Sequence, residues 1–497
     1  MGNPHLTSLP TPKPELVAPK DLTQTTATGD IFRLPEVQKV VTSDFIVLPC
    51  DIICELEGTS LLQSWMVLEA GLGGAAGGIV DGVPIKSGIG GERSGRRGGL
   101  GVWYPTKGLE GISTKGEETD FIATSPLPVS PVPAPEGSLL PSIEQLVLSI
   151  PTSTVKDITE EKKSFPIRHS LLKKHGRINM KTTHRDAHIY FFPFWVMEMI
   201  MKNESFESIA EDVLGWWAKA GWQRGLGDKL GLRDILEGGE KTPDELGDMV
   251  NSMELEDELD LAGLSSTCVT VKKSSTAPHN GSGTFASRVP AIVRPDVEER
   301  KPLTVPPILA YVQPPIGLDA AQPFVRRVDT SFSLLSVSLR LAKLPSIAEA
   351  AATGAVSSPF AHTLKHQHPE MMQKQSRVSE ADSLVAENVT IESRVNIKES
   401  VIGVGCSIGS GSRLTRCLLM EGVVVGENVT LTGCILGRRC KVEGGGAKDE
   451  DKTKLTDCEV QPGFVVEWGS KCLQFSLKLD CDLTLTTGQF CVSRDDS

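Results

Sequence analysis

At 497 residues, with 39% hydrophobic and 23% charged side chains, the chain is too long for one small domain and too apolar to be disordered throughout. A formal net charge of −12 counts against a general nucleic-acid binder, which is normally basic. No apolar run reaches the ~18 residues that cross a bilayer, and Met1 to Lys20 has no apolar signal-peptide core, so no membrane association is expected.

Residues 1–30 are polar and proline-punctuated and read as a loose tail. Phe45 to Leu48 is a short apolar run closed by Pro49. It reads as a strand buried on both faces, as in a parallel sheet. That places Asp51 at the strand's carboxyl end, where open α/β sheets bind ligands. Residues 71–101 are glycine-rich and carry Arg93, Arg96 and Arg97. A phosphate loop follows a strand and opens a helix. Neither is evident here, so the stretch reads as a flexible insertion. Residues 125–141, rich in proline and serine, read as a loop, and Leu146 to Ile150 as a strand stopped by Pro151.

Residues 162–185 include Lys162, Lys163, Arg168, Lys173, Lys174, Arg177, Lys181 and Arg185. No aromatic is interleaved before Tyr190, so this is read as a solvated strand-and-turn surface, not an RNA patch. Ser208 to Gln223 reads as a helix. Ser208 with Glu211 suggests a capping box, and Ile209, Val213, Trp216, Trp217 and Ala220 share a face. The paired tryptophans read as packing residues. Residues 236–300, acidic and then rich in serine and proline, read as a disordered insertion.

Ile308–Val312 and Phe324–Val328 read as strands, and Leu334–Leu344 as a helix ended by Pro345. Residues 346–375 read as a linker. Its His362, His366 and His368 have no acidic or thiol partner nearby, so no metal site is expected there. The cysteines number 11, an odd count with no C-x-x-C spacing, which argues against a zinc ribbon or disulfide framework and for reduced cytosolic thiols.

The clearest signal starts at residue 385. An aliphatic residue recurs at spacings of 6, 5 and 6 through Ile391, Ile397, Ile402, Ile408, Leu414, Leu419, Val425, Leu431, Leu436 and Val442. Two residues before each stands a small or β-branched residue: Val389, Val395, Ser400, Cys406, Ser412, Cys417, Val423, Val429, Cys434 and Cys440. At 39% apolar content, ten such hits arise by chance about once in ten thousand per frame. The pattern predicts a solenoid with three short strands per coil, the hexapeptide β-helix signature. Gly403, Gly409, Gly426 and Asn428 are expected to supply tight corners. The register resumes at Leu455, Val460 and Val466 after about seven extra residues near Gly444 to Lys452.

An α/β part followed by such a helix resembles the sugar-nucleotide pyrophosphorylases. The segments Leu34 to Leu56, Asp186 to Val196, Ser208 to Ala218 and Arg326 to Thr330 are similar to the fungal gamma-subunit family of eukaryotic initiation factor two-B, a guanine-nucleotide exchange factor. The resemblance implies an α/β nucleotidyltransferase-like (Rossmann-like) domain over residues 31–345, with flexible insertions near 70–101, 125–141 and 236–300. It implies a left-handed β-helix over 376–470 and an extension over 471–497. It also implies the catalytic epsilon subunit and the regulatory subunits as partners and initiation factor two as substrate, in the cytosol, with no cofactor and no direct nucleic acid.

Active relatives carry a G-G-x-G-x-R phosphate loop after the first strand, and residues 1–40 hold only Gly2 and Gly29, so that strand and loop are expected to be missing. Asp51 and Asp329 match the two metal-binding aspartates and are read as vestigial. Epsilon's helical exchange domain has no counterpart in the roughly 30 residues after Val466, which points to gamma over epsilon. A mannose-1-phosphate guanylyltransferase is the alternative. A β-helix acyltransferase is disfavoured because no histidine follows His368.

Overall fold

A computed structural model describes residues 16–477 apart from 20, 21, 24, 70–78, 81–82, 85–97, 109–116, 129–133, 136, 238–302, 316–321, 355–357, 367–374, 446–451 and 474–475. The expected insertion at 236–300 lies almost wholly outside the described residues, as does His368.

The first part is an α/β unit. Its strands are β1 (Phe45–Val47), β2 (Ile52–Cys54), β3 (Ile79–Val80), β4 (Val83–Pro84), β5 (Gly99–Pro105), β6 (Asp120–Ser125), β7 (Ile143–Pro151), β8 (Asn179–Phe192), β9 (Ile308–Val312) and β10 (Val325–Arg327). Six of them form a sheet in the order β1-β8-β5-β9-β7-β6, and β6 also pairs with β8, which closes a ring of strands. β5 and β9 run parallel. The other pairings in this sheet are antiparallel. Every residue of β5 and β9 is buried, as continuous apolar runs in central strands require. Along β5 the side chains alternate between two cores: Trp103 packs with Phe192, Trp195 and Trp217, while Leu100, Val102 and Tyr104 pack with Phe191, Leu309 and Tyr311. β2 and β10 form a separate antiparallel pair.

Several expectations are corrected. Phe45–Val47 lies at the sheet margin, antiparallel to β8, with Ile46 46% and Leu48 66% exposed. A four-residue apolar run does not encode whether one neighbour strand or two will cover it. The glycine-rich stretch ends inside β5, where glycine serves packing: a Cβ on Gly99 would lie 2.6 Å from the Trp217 ring. Helix Gly58–Glu69 precedes this stretch and a strand follows it, the reverse of a phosphate loop. The basic stretch 162–185 contains helix His169–Lys174 and the start of β8, and its His184 and Arg185 are buried, not solvated. The expected linker contains helix Ile347–Thr353, closed by a capping box between Ser346 and Glu349. Of the stretch read as a tail, Thr28–Asp30 open helix Thr28–Arg33.

The tryptophan helix begins with a π-turn, Ile209–Val213, and continues as Leu214–Ala220. Ser208 Oγ accepts from the Glu211 N–H at 3.3 Å, as foreseen. The reciprocal acceptor is Asp212, which takes the N–H groups of Ser208 at 2.9 Å and Glu207 at 3.0 Å. The wider turn adds one residue before a side chain can reach back, so the capping role moves from Glu211 to Asp212. Trp217 is buried, stacks edge-on with Trp195 and donates to the Pro306 carbonyl at 2.7 Å.

From Arg377 onward the chain winds as the spacing predicts. Three parallel sheets form, with each strand paired to the one a coil later, as in Ile391↔Ile408, Ile397↔Leu414 and Ile402↔Leu419. The ten aliphatic residues and the ten before them are all buried, and so are Leu455, Cys458, Val460 and Val466. Past residue 470 the coil continues through Lys471–Leu473 and Ser476–Leu477.

The corners differ from the reading. Backbone φ is positive at Asn388, Arg394, Glu399, Gly405, Gly411, Arg416, Gly422, Asn428, Gly433 and Arg439, each directly before a small interior residue. Asn428 is thus a left-handed corner as expected, but Gly403, Gly409 and Gly426 are not. Those three let stacked coils touch: a Cβ on Gly409 would lie 2.6 Å from the Gly426 carbonyl carbon.

Candidate functional site

The expected site residues Asp51 and Asp329 flank the β2–β10 pair. Asp51 lies just before β2, and its carbonyl accepts from the Val328 N–H at 2.7 Å. Its carboxylate accepts from Arg327 Nη2 at 2.8 Å and Nε at 3.2 Å. Asp329 accepts from both Nη atoms of Arg185 on β8. Both aspartates are therefore committed to guanidinium groups.

Deeper in, Arg326 donates to Glu117 at 2.9 and 3.1 Å and to the Thr106 carbonyl at 2.6 Å, and its guanidinium lies 5.2 Å from the Tyr104 ring centre. Consecutive strand residues point to opposite faces, so Arg326 and Arg327 serve different acids. Arg185 Nη1 is 3.7 Å from Glu117, which links the inner and outer pairs. Burial opposes the charge on Arg185, but Asp329, Tyr104 and Glu117 outweigh it and hold the guanidinium above its usual pKa. Burial likewise raises Asp329, yet Arg185 and Arg327 carry it below the usual carboxylate range.

A bulge in β8 aims the remaining polar groups. Opposite Gly101–Trp103 of β5 stand five residues, Asp186 to Tyr190, so β8 carries two extra. His188 sits there at φ 54°, a conformation histidine tolerates better than most residues. Asp186 Oδ1 accepts from the His188 N–H at 2.8 Å, and its Oδ2 from the Tyr190 hydroxyl at 2.6 Å. Burial, then the nearby Asp120, push Asp186 up to about 7. Burial, then Arg327, push His188 down to about 4. The neutral His188 ring places Nε2 3.2 Å from Arg327 Nη1, and charges on Asp51, Arg185 and Asp329 also act on it. The fold thus brings both expected aspartates around one histidine.

This donor set is a poor fit for Mg²⁺. A cation would have to displace two guanidinium groups that already satisfy its carboxylates. Among the described residues no cluster of three or more acidic, histidine or cysteine side chains could hold a metal ion. What the arrangement does chemically is bind the β2–β10 pair to β8 through charge. Reading the sequence found Asp51 and Asp329 and quoted the segments holding Asp186, His188, Arg326 and Arg327. It missed Glu117 and took Arg185 for a surface residue. The consecutive arginines before Asp329 were the available signal.

His366 of the former linker makes a parallel bridge with Val385, and His362 serves through its carbonyl, which caps the Ile347 N–H. Neither joins the charged cluster. No helix among the described residues is long and apolar enough to cross a membrane.

Residues 373–469 match the family described as the GMPPB C-terminal domain, a span that takes in most of the coiled region. The chain is also similar to the translation initiation factor eIF2B subunit gamma of Schizosaccharomyces pombe, at 35% identity over 72 residues. That likeness spans 14% of this chain and 16% of the length of that relative.

Proposed function

We propose that the chain is a non-catalytic, gamma-type subunit of the guanine-nucleotide exchange factor for eukaryotic initiation factor two, acting in the cytosol. It binds the catalytic epsilon subunit and assembles with the regulatory subunits. With epsilon it speeds the exchange of GDP for GTP on initiation factor two. The similarity to an initiation-factor gamma subunit carries this reading. The engagement of Asp51 and Asp329 by arginines supports treating them as remnants of a metal site. On this reading residues 31–345 form a nucleotidyltransferase-like domain and 376–470 a left-handed β-helix.

The test is GDP release from initiation factor two by purified epsilon, with and without this chain. Acceleration is expected only when both are present. No acceleration and no binding to epsilon would overturn the proposal. Asp51→Asn should leave that acceleration intact, and a large loss would contradict the vestigial role.

The match to the GMPPB C-terminal domain favours a second reading, a sugar-phosphate nucleotidyltransferase of the mannose-1-phosphate guanylyltransferase kind. Pyrophosphate release from GTP, Mg²⁺ and mannose-1-phosphate, well above an enzyme-free blank, would support it instead.

A further inference from the structure

The three sheets of the coil have outward faces of different character. One face, carrying Val401, Leu418 and Ile435, lies under helix Ser331–Lys343. Another mixes signs, with Lys441 and Glu443 paired at 3.0 Å. The third consists of the strands Arg377–Val378, Asn396–Lys398, Arg413–Thr415, Thr430–Thr432, Lys454–Thr456 and Lys471–Leu473. Its outward residues are Arg377, Lys398, Arg413, Lys454 and Lys471, with asparagine, threonine and leucine between them. None is acidic, in a chain that carries 63 acidic against 51 basic residues.

We infer that this face is a docking surface for the acidic surface of another protein. The bland alternative is a solvated face, and three observations weigh against it. Register places Lys454 directly beside Lys471, and like charges one coil apart, at about 4.8 Å, repel. Among the described residues none of the five cations forms an ion pair, although the neighbouring face pairs its own. All five side chains are exposed, and they run along five coil steps, roughly 24 Å. A flat, rigid ladder of unneutralised charge of that length matches one side of a protein interface.

Nucleic acid fits less well. No aromatic ring stands among the outward residues to stack on bases. The inference goes beyond the proposed function and does not depend on it.

The experiment uses the full chain and two labelled probes, poly-L-glutamate and poly(U) RNA, read by fluorescence anisotropy. R413E/K454E/K471E reverses three charges on the face. K156E/K162E/K173E reverses three exposed lysines elsewhere and changes the net charge equally. Poly-L-glutamate should bind, with affinity about tenfold or more weaker in the first variant and changed less than about threefold in the second. Chemical unfolding of both variants should overlay the wild type, which separates lost binding from lost fold. Equal weakening in both variants would show diffuse attraction and overturn the inference. Tighter binding of poly(U) would assign the face to nucleic acid, and no binding of poly-L-glutamate would leave it a solvated face.

Discussion

Arg326 is 2% exposed and satisfies a Glu117 that is 3% exposed, so neither charge can be solvated if the other is lost. Removing one partner of a buried pair costs about 3–5 kcal/mol. Arg185 stays 3.7 Å from Glu117, so Arg326→Ala belongs at the lower end of that range, about 3 kcal/mol by urea unfolding. Arg326→Met with Glu117→Gln removes both charges and should cost less than the single change, which a double-mutant cycle would read directly. Asp186 carries a pH signature. Its folded pKa of about 7 exceeds the ordinary 3.8, so the folded state binds the proton more tightly. Its contribution therefore favours the fold at low pH and fades as pH rises from 3.8 towards 7. Asp186→Asn keeps an acceptor for Tyr190 and removes the titration. Unfolding free energies across that window should show the wild type losing stability relative to the variant as pH increases. At this scale the sequence was half legible. Asp51 stood out as an acid at a strand end and Asp329 through its family likeness, but Asp51 meets Arg327 across 276 residues, and no local spacing encodes such a pairing.

Elements were most legible where one rule repeats. The coil's interior was readable because every strand obeys the same constraint, an aliphatic residue with a small one two before it. The left-handed corners were not, because Arg394, Glu399, Arg416 and Arg439 occupy them beside glycine and asparagine, which hides the period. The coil's glycines divide into two kinds that substitution can separate. Gly405 has φ 71° and open space around a Cβ, so Gly405→Ala costs only the left-handed strain, about 1–2 kcal/mol, and Gly405→Asn less. At Gly426 the backbone is ordinary, but a Cβ would lie 2.4 Å from the Gly444 nitrogen. Gly426→Ala must push two coils apart, at about 1–3 kcal/mol, and asparagine should be worse than alanine. Opposite rankings of alanine and asparagine at the two positions, measured by thermal unfolding, would confirm the division. Identical rankings would refute it. In the α/β part, alternation failed at β5 because both its faces are buried, and glycine there signified close packing against Trp217.

On the scale of the whole molecule, the coil is joined to the α/β part by more than the connecting segment. Helix Ser331–Lys343 lies against the strands Val401–Ile402 and Leu418–Leu419, and Lys343 reaches Glu399 at 3.2 Å. Leu418 points outward from the coil yet is only 8% exposed, and Ile435 beside it 7%. An outward residue on a β-helix is ordinarily wet, so this burial marks the contact. The run Val401, Leu418, Ile435, one residue before each interior aliphatic, was present in the sequence. It is hidden because the period is set by the interior columns, and this outward column is apolar only where the helix covers it. Leu418→Arg places a charge beneath the helix and removes an apolar side chain from the contact, at about 2–3 kcal/mol. Val424, 40% exposed on another outward column, serves as the control, and Val424→Arg should change stability by under about 0.5 kcal/mol. Scanning calorimetry of the full chain should show Leu418→Arg unfolding in two separated steps, with the docked helix released first and the coil melting later. Val424→Arg should superimpose on the wild type. If both variants trace one unchanged transition, the helix contributes no coupling, and the coil is held to the α/β part only through its connecting segment.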